Sequence, residues 1–104
     1  MKAVTKEAIL EAIDKVEQQG FLLRCGYRNI NDCRCVVGFM MDDEEIKLVS
    51  DRKRNHLTIC RLAEEVIDLD EESLMHLSTL QSLNDRCETL EEFLQKSKEY
   101  VCEI

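Results

Sequence analysis

The chain has 104 residues, 44% hydrophobic and 35% charged, with six cysteines, three glycines and no proline. That length supports one domain that buries roughly two-thirds of its unfolded surface without metal or disulfide staples, and the composition excludes the disordered and fibrous classes. A net charge of -8 disfavours nucleic-acid phosphates and anionic membranes as partners and favours proteins, basic ones above all.

Thr5 can cap a first helix that carries Glu7 in its opening turn and Ile9, Ala12, Ile13 and Val16 on one face. Gly20 stops it, and Phe21 falls where a Schellman ending places an apolar contact back to Val16. Glu7, Glu11 and Asp14 interrupt the apolar residues with helical period, so this amino terminus reads as an amphipathic helix and not as a signal peptide. No run approaches the roughly 18 apolar residues that span a bilayer, which makes the cytoplasm the default compartment and the cysteines reduced thiols.

Gly26 and the Asn/Asp cluster at residues 29–32 make the next stretch an extended or looping segment that ends in a turn. The apolar run at residues 35–41 covers every direction of a helix and both faces of a strand; Asp32 as N-cap tilts it toward a short buried helix. The polar stretch beyond it changes sign from Asp42, Asp43, Glu44 and Glu45 to Arg52, Lys53 and Arg54, and predicts an exposed connection with one short strand or turn near residues 46–49.

A further helix places Ile59, Leu62, Ala63, Val66 and Ile67 in a stripe about 100° wide, capped by Asn55 or Thr58. The acidic "DLDEES" ends it, and Asp70 caps the next, with Leu69 and Leu74 forming a hydrophobic staple. Leu74, Leu77, Leu80 and Leu83 then step by three, so the apolar arc rotates by about 60° at each step and draws Gln81 and Asn84 toward the core. Thr89 and Glu92 predict a capping box for a last helix that buries Leu90, Phe93, Leu94 and Val101. The predicted fold is mostly α: a compact four- to five-helix bundle in a single domain over residues 1–104, with a short β-hairpin or extended segment around residues 21–50 as the open point.

The order "GYR", "CRCVVGFMMDDEE", "LSTLQSLNDRC" and an amphipathic last helix resembles a group of small bacterial and phage proteins. Those share a Tyr-Arg pair, a Cys-x-x-Gly segment running into an acidic turn, and a Leu-Gln-x-x-His-Asp segment. From residue 27 to the end, the resemblance singles out Tyr27, Arg28, Cys35, Gly38, Asp43, Gln81 and Asp85. Asn84 stands where the group has His, and Asp42 where it has Pro, so a catalytic or ligating His at that position would be missing here. The group has no assigned activity; the resemblance implies a helical fold and a phage or mobile-element setting, with little chemistry.

Candidate chemistry is sparse. Cys25, Cys33 and Cys35, with His56 and Cys60 at i, i+4, are the candidate zinc ligands, but they lack the Cys-x2-Cys knuckle of a strong site. The favoured reading is that the cysteines act as small hydrophobes and that no metal or cofactor is held. If Cys33 and Cys35 are helical they diverge by about 200°, whereas on a strand they share a face. His56 and His76 are the available bases, neither in a catalytic motif, and His76 reads as a partly exposed structural residue at the edge of its apolar arc, so catalysis is not expected.

Buried amides demand partners, so Gln81 and Asn84, with Asp85 beside them, should join Tyr27 or Arg28 in a polar network that locks the loop to the helix, or in a small pocket. The acids Asp42, Asp43, Glu44 and Glu45 are either a solvated turn or a partner-binding surface that imitates nucleic acid toward a basic host protein. The functional expectation is a non-catalytic, acidic, protein-binding accessory factor, with pairing of identical chains left open.

Overall fold

The structure, a computed structural model, describes residues 3–24, 26–49, 55 and 57–104. Among the described residues there are six α-helices: α1 (Lys6–Gln19), α2 (Val36–Phe39), α3 (Asp43–Leu48), α4 (Ile59–Glu65), α5 (Glu71–Arg86) and α6 (Leu90–Glu103). All six contribute to one buried cluster, in which Phe93, Ile9, Ile13, Leu62, Leu77 and Leu80 are the largest fully enclosed side chains. The short α2 lies at its centre, in contact with α1 and α5, while α6 closes over both of those helices and α4 packs against α5. The mostly α bundle expected from the periodicity is the observed fold.

Local sequence accounts for most of the boundaries. The Thr5 hydroxyl accepts from the Ala8 N–H, and Gly20, at φ 90°, donates its N–H to the Val16 carbonyl, so α1 ends in a left-handed cap. Phe21 nevertheless stays 44% exposed instead of folding back fully onto Val16. Asp70 caps α5 by accepting from the Ser73 N–H, as expected. At α6 the Thr89 hydroxyl accepts from the Glu92 N–H, but the Glu92 carboxylate reaches back to the N–H of Glu88 rather than of Thr89, so the reciprocal box is not closed.

Three sequence-based boundaries need correction. Asp32 does not cap α2. It occupies a left-handed conformation at φ 59° in the preceding turn, a position that Asp tolerates, and the cap is the Cys35 thiol, which accepts from the Gly38 N–H. Residues 46–49 belong to or end a helix, not a strand, because Asp42 and Glu45 form a complete capping box that converts the acidic run into the start of α3. Thr58 caps α4, as one of the two caps expected, but that helix stops at Glu65, leaving Val66 and the buried Ile67 beyond it.

Residues 20–24 and 26–35 form an irregular ribbon between α1 and α2. Its one ladder contact among the described residues is an isolated antiparallel bridge between Arg28 and Arg34, so the extended-segment alternative holds and no strand forms there. The ribbon lies against α2 so closely that a Cβ on Gly38 would overlap the Tyr27 carbonyl oxygen, a backbone atom with no freedom to yield. At Gly20, by contrast, a Cβ meets nothing and only the left-handed φ opposes it. Gly38→Ala is therefore expected to destabilise the fold by about 3 kcal/mol or more, against about 1 kcal/mol for Gly20→Ala, as read from urea unfolding midpoints; equal effects would refute the close approach.

Candidate functional site

Helix α5 projects Gln81, Asn84 and Asp85 from successive turns toward the ribbon, and their fates differ. Asn84 is fully buried: its Nδ2 donates to the Leu23 carbonyl at 2.8 Å and its Oδ1 accepts from the Val36 N–H at 3.3 Å. Gln81 is half-buried, with Oε1 accepting from the Cys35 thiol at 3.5 Å and Nε2 donating to the Asp85 carboxylate at 3.2 Å. Asp85 itself is exposed.

Tyr27 inserts its ring into the core, 3% exposed, and its hydroxyl donates to the Leu57 carbonyl. The Tyr27 and Arg28 N–H groups both donate to Asn55 Oδ1, at 2.9 and 3.1 Å, and Asn55 Nδ2 returns a bond to the Arg28 carbonyl at 2.9 Å. The Arg28 guanidinium turns away to Asp32, 2.8 Å distant. Between these groups lies a cavity of about 250 Å³ lined by Arg24, Tyr27, Asn55, Thr58, Gln81 and Asp85, among others. Of the five residues expected to make a polar network or pocket, Tyr27, Gln81 and Asp85 line the cavity; Asn84 and Arg28 do not.

The electrostatics of the site are those of groups held neutral. Burial pushes the Tyr27 hydroxyl above its ordinary range, with the nearby Cys35 and Asp85 adding to the rise. Burial likewise pushes the Cys35 thiol up to about 12, against the partial relief of the N–H groups of Gly38 and Val37. A thiol so raised is almost wholly protonated at neutral pH, and its sulfur is already engaged as a helix cap and as a donor to Gln81. The Cys35 sulfur is thus committed to structural bonds at the start of α2.

Among the candidate metal ligands, Cys33 is half-buried, Cys35 fully buried and Cys60 exposed, while Cys25 and His56 lie outside the described residues. Cys33 and Cys35 both precede the first residue of α2, without sharing a helix or a strand. Among the described residues no group of three His, Cys, Asp or Glu side chains converges on a point that could hold a metal ion.

Sequence reasoning missed two holders of the ribbon. Gln19, the last residue of α1, donates to the carbonyls of Phe21 and Arg34 and accepts from the Arg34 N–H at 2.9 Å, and Asn55, one of the two caps expected for α4, bonds Tyr27 and Arg28 instead. It also placed His76 too near the surface: His76 is 6% exposed, its Nδ1 is 2.6 Å from the Tyr100 hydroxyl, and it ties α5 to α6. No protein-family model, curated protein or solved structure matches the chain.

Two outcomes follow from this geometry. Asn84→Ala leaves the Val36 N–H and the Leu23 carbonyl without partners, and a loss of about 2–4 kcal/mol in urea unfolding is expected. The raised thiol and hydroxyl contribute stability that is fully present below their unfolded values, near 9 for Cys35 and 10 for Tyr27, and is lost as pH rises from there through the folded values. Unfolding free energy should therefore fall above pH ~9 by up to about 1.4 kcal/mol per pH unit for each group, and Cys35→Ser, which keeps an acceptor at the cap, should reduce that slope. A flat profile from pH 8 to 11, measured by denaturant titration, would contradict it.

Proposed function

We propose that the chain is a non-catalytic protein-binding domain whose partner presents a basic surface, and that it serves as a phage or mobile-element accessory factor in a host cytoplasm, acting on a host protein as an inhibitor of a host defence. The observation that carries this reading is the direction of its polar groups. Asn84, Asn55, Gln19, Gln81 and Cys35 turn inward and hold backbone or one another, whereas Asp43 and Glu44 stand exposed on the first turn of α3, on the same helix as the 43%-exposed Leu48. An outward pair of carboxylates near an apolar side chain suits recognition of a Lys- or Arg-bearing surface.

The His-to-Asn departure from the resembled pattern supports the same reading. A neutral imidazole offers one donor and one acceptor, the same two roles that Asn84 fills toward Leu23 and Val36, so exchanging them preserves a structural bond pair rather than a catalytic base. No helix among the described residues is long and apolar enough to cross a membrane, and the described cysteines are free thiols, both compatible with the proposed setting.

The test separates surface charge from folding. Asp42 and Glu45 are committed to the capping box, so replacing Asp42 by Ala should lower stability by about 1 kcal/mol, whatever the chain binds. The double variant Asp43→Asn, Glu44→Gln leaves the box intact. With the partner captured from host lysate on the full chain, it should bind at least about tenfold more weakly, and binding by the native chain should weaken steeply with salt. Unchanged capture by the double variant would remove the charge-directed reading.

A further inference from the structure

Two charged side chains stand on the wall of the cavity of about 250 Å³ between the ribbon, the chain before α4 and α5, and they differ in sign: Arg24 and Asp85. Neither meets an opposite charge among the described residues. The Arg24 guanidinium donates to the Cys87 carbonyl at the end of α5, and both oxygens of the Asp85 carboxylate accept from Gln81 Nε2, at 3.2 and 3.4 Å. Neutral groups therefore hold both charges in place, and Gln81 is itself fixed by the Cys35 thiol on its Oε1. A charge immobilised without a counter-charge keeps most of its bonding capacity, here several guanidinium N–H groups and the remaining carboxylate lone pairs.

The rest of the wall is uncharged. Tyr27 and Ile59 are buried and Leu57 half-buried, which gives the cavity an apolar side. The Thr58 hydroxyl accepts from the Arg61 N–H at 3.3 Å and keeps its own proton to donate. Arg24, Thr58 and Asp85 are exposed, so the cavity can be entered from solvent on their side. Its volume is several times the roughly 30 Å³ of a water molecule and below the roughly 300 Å³ at which drug-sized pockets begin, so the occupant is a small organic molecule. The two signs narrow its chemistry. A simple anion drawn to Arg24 meets the Asp85 carboxylate, and a simple cation drawn to Asp85 meets the guanidinium; a molecule with both charges is attracted at each end.

We propose that the cavity is a binding site for a free α-amino acid with an apolar side chain, its carboxylate on Arg24 and Thr58, its ammonium on Asp85, and its side chain against Tyr27, Leu57 and Ile59. The site is separate from the exposed acids of α3 and does not depend on the protein partner. Because Arg24 belongs to the ribbon and Asp85 to α5, the bound amino acid ties the two together and stabilises the folded chain by mass action.

Titration of the full chain with L-alanine, L-leucine and L-phenylalanine, followed by two-dimensional amide NMR, should show at least one of them binding with a dissociation constant of about 1 mM or lower. It should move the signals of Tyr27, Leu57, Thr58 and Asp85 and leave those of α3 in place. Removing either pole of that ligand should weaken binding at least about tenfold: the N-acetyl derivative lacks the ammonium, and the decarboxylated amine lacks the carboxylate. Asp85→Asn, whose exposed side chain still accepts from Gln81, should weaken the amino acid about tenfold and cancel its advantage over the N-acetyl form; Arg24→Gln should cancel its advantage over the amine. The ligand series is read on the native chain, so it decides the matter even where a variant folds poorly. Absence of binding by all three amino acids, signals that move only away from the cavity, an N-acetyl derivative or amine that binds as tightly as its parent, or folded variants that bind unchanged each overturns the proposal.

Discussion

Side-chain amides hold the ribbon of residues 20–24 and 26–35, and the bundle depends on them. An irregular stretch of that length inside a small domain leaves backbone donors and acceptors that neither helix nor sheet satisfies. Gln19, Asn55 and Asn84 each supply one acceptor and up to two donors on a short arm, and each bonds at least one ribbon N–H or carbonyl, with Asn84 also bonding the first residue of α2. They come from the end of α1, from the chain before α4 and from the last turn of α5. The ribbon is thereby fixed to three separate parts of the bundle, and local opening at any one of them leaves the others to be broken.

That fixation is what permits α2 to be so short. Four helical residues would not persist alone, since helices below about 12 residues are marginal in water. Here Val36 and Val37 are fully buried between α1 and α5, and the absence of a side chain at Gly38 lets the Tyr27 backbone lie directly on the helix. Cys35 completes the arrangement at the helix start: a thiol is small and apolar enough to be enclosed, yet polar enough to accept from one N–H and donate to one amide. Cys35 and Gly38 are both small because the backbone of the ribbon approaches the helix there.

The long helices were legible because their signals are local and redundant. In α1 and α5 the cap, the acidic first turn and the apolar period all agree, and the inward direction of Asn84 follows from the leucine steps alone. What escaped was information carried by distant partners or by unusual caps. Nothing adjacent to Gln19 or Asn55 announces a bond to residues 15 or 27 positions away in the chain, and a cysteine N-cap lies outside the usual Ser, Thr, Asp and Asn set. The capping box of α3 was readable as Asp-x-x-Glu, but four consecutive acids obscured it as mere charge. His76 was misplaced because its burial depends on Tyr100, which arrives from α6 with no local sign.

The same distinction bears on how the acidity should be read. Exposed ion pairs such as Lys15 with Glu11, or Arg61 with Glu65, add little to stability, so they do not explain an excess of acids. Helix starts do explain part of it. The described helices have many N-termini to satisfy, and Asp42, Asp70 and Glu92 each bond backbone N–H groups there, with the carboxyls of Asp70 and Glu92 held below their ordinary range, each chiefly by a side-chain hydrogen bond. Acids so engaged belong to the fold, and only those left over can direct a partner. On α3 the division falls within a single turn: Asp42 and Glu45 close the box, and Asp43 and Glu44, between them, face outward. Any recognition by charge at this helix must therefore be argued from the inner two residues of the run and not from its total.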